Sequence, residues 1–252
     1  MFRTIMARLH QGYRTQPYPT KTPALPERFH GVPRLDQSDC RVDCRKCVEI
    51  CPMQAVARKD RSITIDMGRC TFCGECARQC PGKRIEFSRE HRLAASARDA
   101  LRVGGEPFTL MPPADKDIRR LFGRSLKLRQ VSAGGCNACE ADTNVLNTLV
   151  FDLGRFGIQF VASPRHADGL LVTGPVSDNM KLALEKTYNA LPSPRLVIAC
   201  GGCAISGGPY YDHPECHNGV GDIVPVNLYI PGCPPHPLTI LDALLRYLGR
   251  VK

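Results

Sequence analysis

The stretch GGCNACE, residues 134–140, decides how the rest of the chain is read. It is completed far downstream by GGCAISGG (201–208) and PGCPP (231–235). Together the three motifs supply Cys136, Cys139, Cys203 and Cys233. Four thiolates are what one [4Fe–4S] cubane requires, one per iron. The flanking glycines let backbone come close to such a cluster and offer N–H donors to its sulfurs. Each motif also closes a strand-like run: LKLRQVSAG (126–134), RLVIAC (195–200) and VPVNLYIPG (224–232). Between them lie a helix-like segment at 142–153, the apolar β-branched runs IQFVAS (158–163) and GLLVTGPV (169–176), and a helix capped by Asp178 and running to 190. A last helix, 237–248, carries Leu238, Leu241, Leu244, Leu245 and Leu248 on one side. This alternation predicts an α/β fold with a doubly wound parallel sheet over residues 126–252. Cofactors of open α/β sheets bind beyond the carboxyl ends of the strands, which is where these cysteines fall.

Working back toward the amino terminus, residues 36–90 contain the chain's internal repeat. Its first unit is Cys40, Cys44, Cys47 and Cys51 followed by Pro52, and its second is Cys70, Cys73, Cys76 and Cys80 followed by Pro81. The second has the spacing C-x2-C-x2-C-x3-C-P, in which three cysteines wrap one cubane and the fourth reaches the other. One cluster is therefore expected on Cys40, Cys44, Cys47 and Cys80, and another on Cys70, Cys73, Cys76 and Cys51. The first unit departs by one residue, with three between Cys40 and Cys44. Short alternating runs such as SITID (62–66) supply the strands of a small α+β, two-cluster ferredoxin-like domain. Zinc is the competing reading, but zinc knuckles pair CxxC units across a loop and need neither the third cysteine nor the proline. With the first set, the expected complement is three [4Fe–4S] clusters and twelve ligands. Of the fourteen cysteines, Cys200 and Cys216 remain as thiols, and Cys200 competes with Cys203 because the two form a CxxC pair.

Composition narrows the setting. Residues 1–130 hold 26 Lys and Arg against 14 Asp and Glu, and the remainder 8 against 10. A basic half is compatible with nucleic acid, yet the chain has no Trp and its cysteine spacing is not that of a zinc-bearing nucleic-acid binder, so no nucleic-acid partner is expected. No run approaches the roughly 18 apolar residues that cross a bilayer, and nothing reads as a secretory leader. Many cysteines in a reduced compartment indicate metal or redox chemistry. Residues 1–35 read as an extended docking arm: Phe2, Ile5, Met6 and Leu9 share a helical face, followed by Pro17, Pro19, Pro23 and Pro26. Residues 91–125 read as a linker, with helical character over 90–103, a domain boundary near 104–118, and a strongly basic run over 115–130.

The motifs GGCNACE, SPRHADGLLVTGPV, CAISGG and VPVNLYIPGCPP resemble the small, cluster-bearing subunit of nickel–iron hydrogenases and its 20 kDa relative in respiratory complex I. Residues 1–90, with YPTKTPALPERFHG and the paired cysteine units, resemble the two-cluster ferredoxin-type subunit of formate hydrogenlyase and complex I. The chain is thus similar to a fusion of two neighbouring subunits of a membrane-bound, complex I-related hydrogenase. The resemblance implies a flavodoxin-like second domain, Cys203 rather than Cys200 as ligand, and a large nickel–iron partner subunit against the third cluster. It further implies membrane-arm subunits and an electron donor (a formate-oxidising subunit, ferredoxin or carbon monoxide dehydrogenase), on the cytoplasmic side of the membrane. An iron–sulfur subunit of a complex I-type quinone oxidoreductase, beside a 49 kDa-like subunit, is the alternative; complex I members carry adjacent cysteines where this chain has Cys136 and Cys139 two residues apart. The family's glutamate at the position of Glu140 is implicated in proton movement, and proximity to an anionic cluster would favour its protonated form; a hydrogen-bond acceptor beside the cluster is the plainer reading. Arg165 and His166 either tune a cluster from a strand end or form a structural loop pair. Pro231, Pro234 and Pro235 are expected to fix the loop that presents Cys233.

Overall fold

The computed structural model describes residues 2–36, 40 and 43–251. The arm opens with helix α1 (Phe2–Gln11), whose residues are all exposed. Its extended continuation ends in strand β1 (Pro33–Leu35). In the small unit, helices α2 (Lys46–Glu49) and α3 (Glu75–Arg78) each bury one cysteine, Cys47 and Cys76. Strands β2 (Val56–Lys59) and β3 (Ser62–Asp66) form an antiparallel hairpin, and β4 (Ile85–Phe87) pairs antiparallel with β1. Along β3 the alternation of the sequence is realised, with Ile63 and Ile65 buried as a strand with one covered face requires. Strand β5 (Arg102–Val103) adds to β3, so the small unit borrows β1 from the arm and β5 from the connector.

The helix expected over 90–103 does not form. Only a 3-10 turn, Arg98–Leu101, occurs there. Ala95 instead exchanges two backbone hydrogen bonds with Tyr229, at 3.0 and 2.8 Å, while Leu93, Ala94 and Ala95 are buried. Tertiary pairing has overridden alanine's helix propensity. The connector is therefore a seam between the two units.

After α4 (Lys116–Phe122) comes the large sheet: β6 (Leu126–Ser132), β7 (Ile158–Phe160), β8 (Gly169–Thr173), β9 (Leu196–Cys200) and β10 (Leu228–Ile230). All neighbours are parallel, in the order β10-β9-β8-β6-β7, the flavodoxin-like order with its reversal between β6 and β8. Strands β8 and β9 are buried at every residue, as central parallel strands covered on both faces should be. Leu171, Ile198 and Cys200 turn to one core with helix α8 (Pro237–Tyr247); Leu170, Val172, Val197 and Ala199 turn to the other, shared with the connector's Leu93, Ala95 and Leu101. Helix α5 (Ala138–Val145) begins four residues before the expected 142 and stops short of 153, because Leu146, Phe151 and Leu153 turn inward instead. At α6 (Asp178–Asn189) the N-cap position belongs to Ser177 rather than Asp178, whose carboxylate meets His217 Nε2 at 3.0 Å.

Helix α8 is buried along its whole length. The sheet covers one side and the arm another, with Tyr18 buried and Leu25 packed against the same core. Arg155 donates to the Gln16 and Tyr18 carbonyls, and Arg89 to that of Leu25. Past α1, the arm is a strap over the large domain.

Candidate metal centres

In the small unit the thiols fall into two groups that sense one another. Burial pushes the Cys47 thiol above its ordinary pKa, and Cys40, Cys80 and Cys44 add to the shift. Burial likewise pushes Cys70 up to about 12 and Cys76 up to about 11. Cys70 is raised further by Cys76, Cys51 and Cys73, and Cys76 by Cys51, Cys73 and, from the other group, Cys47. Backbone N–H groups point at three of the sulfurs: Ala55 at Cys51, Phe72 at Cys70 and Arg84 at Cys80, each at 3.3 Å. Such donors suit an anionic cluster. The second loop is shaped by Phe72 and Gly74 at positive φ, with His30 Nδ1 2.6 Å from the Phe72 carbonyl. A Cβ on Gly74 would stand 2.5 Å from the His30 ring, so only glycine fits. Arg41 and Val42, which make the longer Cys40–Cys44 spacing, lie outside the described residues.

The third group assembles at the carboxyl ends of β6, β9 and β10. Cys136 precedes α5 and Cys139 sits in its first turn; Cys203 lies in helix α7 (Gly202–Ser206), and Cys233 follows β10. Burial raises Cys203 to about 12, with Cys233 and Cys136 adding to it; Cys233 is raised by burial and then by Cys136. Cys139 is raised by burial, then by Cys200, Cys203, Glu140 and Cys233. Gly201, at φ +93°, turns the chain between Cys200 and Cys203, and a Cβ there would stand 2.5 Å from Cys139 Sγ. Cys200 itself is fully buried in the core beneath. Burial raises its thiol to about 12, Glu140 and Asp142 add to the shift and Thr143 opposes it; Cys139 is the cysteine that senses it. Cys216 stands apart, bridged through its backbone to Ser177 at the start of α6.

Thiols with raised pKa values hold their protons until a metal's charge displaces them. Clustered thiols, with N–H donors at three of the sulfurs, fit one-thiolate-per-iron ligation of 4Fe–4S clusters. Among the described residues no three His, Cys, Asp or Glu side chains are drawn together around a single ion.

Glu140 occupies the strand-order reversal. Its Oε1 accepts from Ser132 Oγ at the end of β6 and from Thr173 Oγ1 at the end of β8, both at 2.6 Å. Burial pushes its carboxyl up, but the two hydroxyls outweigh burial and hold it below the usual carboxylate range. The protein's own groups thus favour the ionised form, opposite in sign to the push expected from an anionic cluster. A carboxyl with a lowered folded pKa contributes stability that is full above its unfolded value, about 4.3, and is lost as pH falls through the folded value. Thr173→Val is expected to cost about 1.5–3 kcal/mol at neutral pH, the range for a hydrogen bond to a charged group. Urea midpoints across pH would read it: the gap to wild type narrows on acidification, and a neutral-pH gap of zero would remove Thr173 from the account.

Arg165 and His166 do not stand by the thiols. They occupy a 3-10 turn, Pro164–His166, leading into the start of β8, and both are exposed. The following Asp168 is bonded to Lys127 near the start of β6. The turn therefore lies at the amino-terminal edge of the sheet, opposite the cysteines. It follows β7 in the chain, but this short strand pairs only with the first residues of β6.

Against known families, residues 136–247 match the NADH ubiquinone oxidoreductase 20 kDa subunit, and residues 39–84 a 4Fe-4S dicluster domain. The chain is 38% identical over 132 residues to a probable membrane-bound hydrogenase subunit of Pyrococcus furiosus, an alignment covering 52% of this chain and 79% of that one. It is 42% identical over 129 residues to formate hydrogenlyase subunit 7 of Escherichia coli, with 51% of each chain aligned. It is 38% identical over 133 residues to an NADH-quinone oxidoreductase subunit of Bacteroides thetaiotaomicron, covering 52% of this chain and 66% of that one.

Proposed function

Since the chain belongs to the family of the 20 kDa subunit of NADH ubiquinone oxidoreductase and carries a 4Fe-4S dicluster domain ahead of it, we propose that it is a three-cluster electron wire of a complex I-like, membrane-bound hydrogenase. It would connect a donor to a nickel–iron centre in a large partner subunit. Bound cubanes supply one-electron transfer at potentials set by charge, hydrogen bonding and exposure. What supports the reading is that the couplings among the cysteine thiols largely follow the three expected sets, together with the hydrogenase and formate hydrogenlyase relatives.

The chain's residues suggest the order of the wire. Thr71 and Phe72, in the loop between Cys70 and Cys73, share a cleft of about 230 Å³ with Cys233, Pro235 and His236. Ser206 donates to the Gly68 carbonyl at 2.9 Å, and Arg69 lies over the Tyr211 ring. Asp66, paired in a fork with Arg98, anchors the start of this loop. The second thiol group thus stands between the first and the third. Exposed Cys136 and Cys233 leave the third group open toward a partner. We place the complex on the cytoplasmic face of the membrane beside membrane-arm subunits; among the described residues no helix is long and apolar enough to cross a bilayer.

The test is metal content. A complex purified anaerobically through a tag on this chain is expected to carry about one nickel and at least about twelve irons per copy, four for each cubane. The NADH-quinone oxidoreductase relative matches much the same stretch, so iron near that figure without nickel would replace the hydrogenase reading by a quinone-reducing one. Iron well below it would sink the three-cluster wire.

A further inference from the structure

Helix α1 buries none of its residues. Successive residues turn by about 100°, so Phe2, Ile5, Met6 and Leu9 fall within an arc of about 100°. Their exposures are 76%, 52%, 50% and 72%, an unusual set of large apolar side chains on one side of one helix. Arg8 flanks this stripe on one side and Arg3 and His10 on the other, while Thr4, Ala7 and Gln11 lie opposite. Residues 1–26 contain four Arg and Lys and no Asp or Glu.

The end of the helix meets the folded body through its polar side. Leu149 lies beside Arg8, Gln11, Gly12 and Tyr13. The Gln16 N–H donates to the Val150 carbonyl at 2.8 Å, and Arg155 holds the next turn of chain. The carboxyl end of α1 is therefore fastened to the large domain, while the stripe itself stays exposed. Docking of this patch would orient the whole domain and not merely tether it.

We infer that the apolar stripe of α1 docks in the plane of an anionic phospholipid surface. An apolar face rimmed by cations, without acids and on a short helix, meets the requirements of an interfacial helix: side chains enter the acyl boundary while arginines pair with phosphates. Charge selects this occupant over a protein groove, because an entirely cationic rim complements a uniformly anionic surface. The inference deepens the proposed membrane association and rests on that part of the reading, though not on the identity of the electron acceptor.

Flotation of the purified full chain with lipid vesicles tests it. Binding is expected to vesicles of phosphatidylcholine mixed with phosphatidylglycerol, to weaken with salt, and to be lost in Ile5→Gln/Leu9→Gln. Arg3→Gln/Arg8→Gln is expected to weaken it at least about tenfold. All four positions are exposed, so iron content should stay at the wild-type value in both variants. Equal binding to pure phosphatidylcholine, or flotation indifferent to both variants, overturns the proposal. So does a self-association of the chain that Ile5→Gln/Leu9→Gln abolishes while vesicle binding persists. A chain that floats as described yet lacks its irons would instead refute the electron wire and leave the docking intact.

Discussion

Cys203→Ser is expected to remove one cluster, about four irons per chain, while Cys200→Ala leaves the iron content unchanged. The two cysteines are three residues apart, yet they occupy opposite sides of the turn at Gly201. Cys203 senses Cys233 and Cys136, the two exposed members of its group, whereas Cys200 ends β9 inside the core that also holds Leu228, Ile230 and Leu241. Serine keeps the shape of cysteine but is a poor ligand for iron, so the loss should be confined to the third group. Low-temperature EPR of the reduced protein then provides the internal control, because the signals of the two small-unit clusters persist if Cys203→Ser still folds. Cys200→Ala removes a buried sulfur and is expected to cost about 1 kcal/mol as a cavity, without loss of iron. The reverse pattern, with iron lost in Cys200→Ala and kept in Cys203→Ser, would exchange the two residues in the ligand set.

That spacing alone ranks these cysteines, but does not separate them, reflects what spacing encodes. It is dense around Cys70, Cys73 and Cys76, where a short loop wraps its site, so the small-unit groups are readable from the chain. The apolar runs GLLVT and LVIAC are continuous because both faces of the sheet are covered, and on their own they announce a parallel core. Glycine before Cys203 is visible too, but that its turn throws Cys200 into the core depends on how far β9 extends. Arg165 and His166 depart from expectation for a similar reason. A basic pair after IQFVAS sits at a strand's carboxyl end only if the strand runs as far as its neighbours, and β7 is three residues long. The connector misleads through composition, since alanines suit a helix and equally suit close packing, and only the partner, Tyr229, decides between them. Glu140 is marked out by its neighbour Cys139, but Ser132 and Thr173, which hold it, carry no local signal. They reach it because β6 and β8 are adjacent where the strand order reverses, a property of topology and not of any motif.

The largest stability effect is expected at Asp242, on α8, the helix that follows the Cys233 loop. Its carboxylate takes a bidentate fork from Arg246, Nε at 3.0 Å and Nη2 at 3.1 Å, with side chains only 2% and 6% exposed. The Tyr18 hydroxyl donates to the same carboxylate. Burial, reinforced by Asp242, pushes the phenol well above its usual pKa, so it stays a donor throughout the accessible range. Asp242→Ala strands a buried guanidinium and a buried hydroxyl together, and should cost about 3–5 kcal/mol. Asp242→Leu/Arg246→Met removes both charges and should recover most of that loss, which separates an uncompensated charge from a simple packing defect. Tyr18→Phe should cost about 1.5–3 kcal/mol and, because Tyr18 clasps the arm to α8, should speed proteolysis within residues 13–25. Helix α8 starts at His236, whose ring accepts from the Leu238 N–H, three residues after Cys233. A loosened α8 therefore loosens a ligand, and Asp242→Ala should lose the third cluster faster than the other two under a chelator. Urea midpoints and the timed loss of EPR signals check both halves. An Asp242→Ala variant within about 1 kcal/mol of wild type, or a double variant no better than the single, would mean that the pair is solvated and the strap is held by apolar contacts alone.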